Sequence, residues 1–237
     1  MSIDGILLNR KMIFMDEVVF SICKINNKVA DLNLLDYFTT QEWVKYTHFR
    51  LTRRKVSYVC GRLAGKYAVS MFYPKEKMKE IEIENGIFHE PYIPVSSKTP
   101  AFLSIAHSGQ VGIALASKKN HHIGIDLEEN SLDYASKIRS MLDDAEKKIL
   151  CEEQLEILAW TAKEALSKVL MTGMNTPLKI YEISEVNKKA GLYYSKFRYF
   201  PQYKAISMYF YTYWITFVVP EQLVIDFSKE DLNFFEF

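Results

Sequence analysis

The sequence predicts an α+β fold made of two similar halves that meet near residue 118. Three observations predict it. Each half carries one strongly amphipathic helix, short apolar runs of β character follow each helix, and no low-complexity segment or long linker lies between them. A chain of 237 residues has room for one large domain or two small ones. We expect an N-terminal lobe over 1–118 and a C-terminal lobe over 119–237, although no residue-level repeat accompanies the halves.

The elements follow in order. Residues 4–9 and 12–22 hold short β-like runs (GILL, VVFSI), and 36–45 reads as a loop entering a helix. Val56, Val59, Cys60, Leu63, Ala64, Tyr67, Ala68 and Met71 recur at three and four, which predicts a helix over 52–73, ended before Pro74. Gly61 and Gly65 lie four apart on it and predict close packing. Asn85-Gly86 signals a turn, and Pro91, Pro94 and Pro100 mark an irregular stretch. Residues 102–106 and 112–117 are apolar runs separated by His107-Ser108-Gly109-Gln110, a strand–turn–strand pattern. Residues 123–127 form another short strand, and 143–150 are helical. A helix over 155–170 carries the stripe Leu155, Leu158, Ala159, Ala162, Leu166 and Val169. Beyond Gly173 the chain turns β-like over 179–186, 192–200 and 205–219. For the aromatic, acidic tail from 221 we expect docking onto the second lobe.

Composition excludes several classes. Apolar residues make up 49% and charged residues 25%, a globular balance that excludes disorder as the main state. A net charge of +1 gives no global field to draw in nucleic acid. Cys23, Cys60 and Cys151 are odd in number and form no CxxC, so neither a disulfide framework nor a zinc site is expected, and a cytoplasmic location is. Asp4 and Arg10 interrupt any signal-peptide core. The longest apolar stretch, 209–219, falls far short of the ~20 residues that span a bilayer, so no membrane partner is expected.

Charge is balanced overall but not locally. Residues 45–79 contain ten bases and one acid, whereas 126–156 contain ten acids and four bases. The first block suits a polyanion and the second a cation such as Mg²⁺, unless both are simply solvated helix faces.

Three clusters hold groups capable of chemistry. His107, read in a tight turn between strands, is either a phosphate contact or a satisfied structural residue. Asp126 and Glu128 of Gly124-Ile125-Asp126-Leu127-Glu128 point to one face of a strand, where two carboxylates repel unless a hard cation sits between them. Glu129 faces the other way. Glu164 and Lys168 lie one helical turn apart, on the face opposite the apolar stripe. They are either an exposed ion pair or, if that face lines a cleft, a third metal ligand or general base beside a charge-stabilising lysine.

Together these clusters resemble the signatures of the 4′-phosphopantetheinyl transferase superfamily, in its larger surfactin-synthetase-activating type. The signatures are an [I/V]-S-x-[A/S]-H-S-like motif, G-I-D-[I/L/V]-E, and [F/W]-x-x-K-E-[A/S]-x-x-K. This chain reads SIAHS, GIDLE and WTAKEALSK, and its basic helix resembles an upstream R-x-x-x-x-x-x-G-R-x-A-x-K segment. The resemblance spans nearly the whole chain. It implies two α+β lobes related by a pseudo-twofold with the active site between them, most simply in a monomer. It implies transfer of the 4′-phosphopantetheine arm of coenzyme A to a serine of an apo acyl or peptidyl carrier protein, with release of 3′,5′-ADP. Asp126, Glu128 and Glu164 would hold Mg²⁺ (or Mn²⁺), and Glu164 would help deprotonate the serine. Lys168 would stabilise the breaking pyrophosphate, and His107 would contact the 3′-phosphate. Lys45, sixteen residues before Gly61, stands where relatives place a basic ligand for that phosphate, and Arg54 is a second candidate.

Two positions depart from the family pattern. Relatives carry G-K-P before the histidine motif, whereas here His89-Glu90-Pro91 stands, with Glu90 in the lysine's position. We expect Glu90 to point away and the backbone around Pro91 to touch the adenine; the alternatives are weaker or shifted coenzyme A binding, and His89 instead taking over a phosphate contact. Ala106 stands where relatives often have serine, which predicts one missing hydrogen bond. The rival readings are a diverged coenzyme A-binding homologue and a non-catalytic carrier-protein-binding module. Glu90 suggests the first; the second would not need Asp126, Glu128, Glu164 and Lys168 together. An acidic carrier is expected to meet basic surface near residues 75–79.

Overall fold

A computed structural model describes residues 2–3, 6–14, 17–26, 33–150 and 155–224. The described residues divide into two compact units, one up to Asn120 and one from His121 onward. Each unit combines helices with one five-stranded antiparallel sheet.

The first unit runs β1 (Ser2–Ile3), β2 (Ile6–Phe14), β3 (Val18–Ile25), α1 (Thr40–His48), α2 (Thr52–Ser70), β4 (Glu84–Asn85), β5 (Pro91–Tyr92), β6 (Phe102–Ser108) and β7 (Val111–Ser117). Its main sheet has the order β1-β2-β3-β7-β6, and β4 and β5 pair separately. The apolar run read over 12–22 is therefore two strands, broken between Phe14 and Val18.

Helix α2 lies against β3, β7 and β6 and supplies Val59, Cys60, Leu63, Ala64 and Ala68 to a core shared with Val19, Cys23, Ala114 and Ala116. It stops at Ser70, three residues before the sequence reading. The N–H groups of Met71, Phe72 and Tyr73 turn to i−3 carbonyls, and Pro74 disfavours helical backbone at Tyr73. Thr39 caps α1 in a reciprocal capping box with Glu42. Glu42 then pairs with Lys66 of α2 at 2.5 Å, both buried.

The second unit runs β8 (Gly124–Glu129), α3 (Leu132–Met141), α4 (Asp144–Leu150), α5 (Glu156–Val169), β9 (Ile183–Lys189), β10 (Leu192–Phe197), β11 (Tyr203–Phe210) and β12 (Tyr213–Pro220). Its sheet has the order β8-β12-β11-β10-β9. The β character read over 179–186 begins only at Ile183, because Leu178–Tyr181 is a 3-10 turn entered from Pro177. The run read over 205–219 is a hairpin. Its turn, Tyr211-Thr212, has Tyr211 at φ 51° and none of the Gly or Asn that signals such turns.

Helix α5 departs from a simple amphipathic helix. The predicted stripe is buried, but so are Ile157, Thr161, Lys163, Ala165 and Ser167. Strands β8 and β12 cover one side and α3 packs on another. The helix tolerates Lys163 inside because Glu146 of α4 pairs with it at 2.5 Å, and Glu146 also accepts from the Ile183 N–H.

No helix among the described residues is long and apolar enough to cross a membrane. The tail beyond Val224, Cys151 and residues 4–5 of the first expected β-run lie outside the described residues.

Candidate active site

The second unit gathers the acidic residues. Strand alternation puts Asp126 and Glu128 on one face of β8, opposite Thr216 and Trp214 of β12, and leaves Glu129 exposed on the other. Helix α5 comes down onto this strand at Gly124, where a Cβ would lie 2.3 Å from the carbonyl oxygen of Ala165. A glycine is needed there, and its absence of side chain brings the next turn of α5, with Glu164 and Lys168, over the carboxylates.

One carboxylate oxygen from each of Asp126, Glu128 and Glu164 lies within 4.8 Å of the others. Lys168 Nζ donates to Asp126 Oδ1 at 2.7 Å and to the Ile125 carbonyl at 2.9 Å. The Glu164–Lys168 pair is thus neither solvent-exposed nor self-paired, since the lysine is bound to the strand.

The electrostatics are those of crowded acids. Burial pushes the Asp126 carboxyl up, against the pull of Lys168. Burial and the neighbouring Asp126 and Glu128 raise Glu164 to about 8, with Lys168 opposing. Asp126 Oδ2 is buried and has no hydrogen-bond partner. Tyr134 of α3 extends its hydroxyl to Glu128 Oε1 at 3.4 Å, and burial with these acids holds its phenol well above the ordinary range. Sequence reasoning missed Tyr134, because a tyrosine in an acidic helical stretch carries no signal of its own.

The first unit gathers bases. A pocket of about 340 Å³ is lined by Lys45, Arg54, Arg62, His89, Pro91 and His107, among others, and among the described residues its lining includes no carboxylate. All four sequence-read binding residues of this lobe therefore share one pocket. His107 sits in strand β6, opposite Gly112, rather than in the turn, which shrinks to Gly109-Gln110. Its ring lies against Gly61 of α2, where a Cβ would stand 3.7 Å from His107 Cδ2. Ala106 is buried on the opposite face of β6, so a serine there would not point along with the histidine.

Glu90 turns back on its own hairpin, where its Oε2 accepts from the Phe88 N–H at 2.9 Å. His89 beside it has φ 66° and lines the pocket. Arg62, Tyr58 and Asn85 also line it. The sequence reading counted Arg62 only within the basic block and the R-x-x-x-x-x-x-G-R-x-A-x-K segment, without a role, and Asn85 only as a turn.

An α+β chain with three clustered carboxylates beside a lysine, and a basic, acid-free pocket, has the groups of a transferase that handles a phosphorylated substrate. Comparison with known proteins agrees. A family model of the 4′-phosphopantetheinyl transferase superfamily matches residues 122–218, within the second unit. A holo-[acyl-carrier-protein] synthase of Lactococcus lactis subsp. cremoris (strain SK11) is 36% identical over 85 residues, covering 32% of this chain and 69% of the relative. A crystal structure of Thermotoga maritima holo-[acyl-carrier-protein] synthase (AcpS) aligns at 15% identity and a TM-score of 0.30, over 57% of this chain and 74% of that one. The chain belongs to the 4′-phosphopantetheinyl transferase superfamily, and its activity is phosphopantetheinyl transfer.

Proposed function

We propose that this protein is a divalent-metal-dependent 4′-phosphopantetheinyl transferase of the larger, two-lobed type. Its substrates are coenzyme A and an apo acyl or peptidyl carrier protein. The observation that carries this reading is the cluster of Asp126, Glu128 and Glu164 beside Lys168.

The donor set fits a hard cation. Three carboxylates supply oxygen ligands, one buried oxygen of Asp126 is unpartnered, and the acids repel one another without a positive charge among them. Asp126, Glu128 and Glu164 would hold Mg²⁺, or Mn²⁺. When bound, the ion would neutralise charge on the pyrophosphate and stabilise its developing negative charge.

The chain's own groups do the rest. Glu164 accepts the proton of the carrier serine as that oxygen attacks the β-phosphorus of coenzyme A. A new P–O bond forms to the serine, the bond between the β-phosphorus and the bridging oxygen breaks, and 3′,5′-ADP leaves with that oxygen. Lys168, oriented by Asp126, offers its ammonium to the oxygens that gain charge. Lys45, Arg54 and His107 hold the 3′-phosphate in the basic pocket, and the backbone around Pro91 meets the adenine. The exposed Lys75, Lys77 and Lys79 attract the acidic carrier.

The test is release of 3′,5′-ADP from coenzyme A in the presence of an apo carrier, with Mg²⁺ and with chelator. The reading requires release with Mg²⁺ and its loss with chelator. Equal release in both contradicts metal dependence.

A further inference from the structure

Arg62 stands out as a nearly buried cation with one guanidinium nitrogen left without a hydrogen bond. Its residue is 5% exposed, it lines the basic pocket, and its Nη1 is buried without a hydrogen-bond partner. Burying a guanidinium nitrogen without a partner is costly, and an anion brought to it removes that cost. The rest of the group is fixed. Nη2 donates to Asn85 Oδ1, and the guanidinium lies over the Tyr58 ring at 5.3 Å. The same Asn85 Oδ1 accepts from Lys45 Nζ at 3.2 Å, and Asn85 Nδ2 donates to the His89 carbonyl at 2.8 Å.

One neutral amide thus ties two cations and the His89 turn together. The two cations repel, and a neutral acceptor holds them without cancelling their charge. Partial burial, and after it the nearby Arg62 and Arg54, hold the Lys45 ammonium below its ordinary range, against the pull of Glu42. Three carboxylates, Glu42, Glu82 and Glu84, line the neighbouring hollow with Lys45 and Arg62, but Glu42 is already paired with Lys66 and Glu84 already accepts from the Tyr92 hydroxyl.

We propose that Arg62 is a further phosphate ligand of the coenzyme A pocket, and that Asn85 is the positioning residue that aims Arg62 and Lys45 at one phosphate. The inference rests on the transferase reading above. The bidentate fork of an arginine suits a terminal phosphate monoester, which on coenzyme A is the 3′-phosphate.

Calorimetric titration of the full chain with coenzyme A and with dephospho-coenzyme A, which lacks that phosphate, tests it. Arg62→Gln should weaken coenzyme A binding by roughly ten- to a hundredfold, the range for one lost charge-assisted hydrogen bond, and leave dephospho-coenzyme A within about twofold. Asn85→Ala should weaken coenzyme A by roughly three- to tenfold with the same selectivity, and raise KM for coenzyme A by more than it lowers kcat. Asn85 is exposed and this change keeps the guanidinium, so it decides the matter if Arg62→Gln does not fold. Folded variants that bind coenzyme A like the parent, or lose both ligands equally, overturn the inference alone. A parent protein that takes up no coenzyme A overturns the transferase reading first, and this inference with it.

Discussion

Lys163 and Glu164 are neighbours in the WTAKEALSK motif but belong to different tasks. Glu164 joins the carboxylate cluster, whereas Lys163 is 2% exposed and pairs with Glu146. Lys163 is therefore a structural residue inside a chemical motif. Lys163→Met should destabilise the fold by about 3–5 kcal/mol, because it strands the Glu146 carboxylate in the interior. Adding Glu146→Gln should recover part of that loss, since the buried charge is removed with its partner. Denaturant unfolding of the single and double variants measures this, and a double variant no more stable than the single contradicts it. The motif's spacing made Glu164 and Lys168 legible in the sequence. It did not reveal that Lys168 reaches across to Asp126, because that contact depends on a strand 42 residues earlier. Glu90 shows the opposite case: the sequence raised a repulsive carboxylate, and the hairpin's own geometry turns it onto the Phe88 N–H.

At the scale of elements, the site depends on how closely helix α5 approaches strand β8. Gly124 sets that distance, and its Cβ would meet the Ala165 carbonyl at 2.3 Å. Gly124→Ala should cost roughly 1–3 kcal/mol by overpacking and move Glu164 away from Asp126, so both the melting temperature and turnover should fall. An alanine variant with unchanged melting and turnover would show that the helix has room to spare. Helices α2 and α5 were legible because their apolar spacing is regular and packing supports it. The boundaries that failed have local causes. The hairpin turn at Tyr211-Thr212 lacks turn residues, and 178–181 is apolar enough to read as strand, yet Pro177 starts a 3-10 turn there. The sequence reads the Glu164 and Lys168 face of α5 as opposite the apolar stripe, whereas Lys168 bonds to strand β8 there, because periodicity counts apolar residues and cannot see the Lys168–Asp126 pair.

For the whole molecule, each unit brings a different half of the chemistry. The first holds the basic pocket, and the second holds the three carboxylates and Lys168. The family match falls within the second unit, while the candidate coenzyme A contacts in the first were reached from the histidine motif and the basic helix. Arg62 and Asn85 escaped the sequence because their significance lies in a shared hydrogen-bond acceptor, which no spacing encodes. The most direct test of the account is intact-mass analysis of apo carrier proteins, both acyl and peptidyl, incubated with coenzyme A, Mg²⁺ and this protein. The account predicts a phosphopantetheine mass gain on the carrier serine, absent with Glu164→Ala. A mass gain that survives in Glu164→Ala, or no gain on any carrier from a protein that binds coenzyme A, would contradict it.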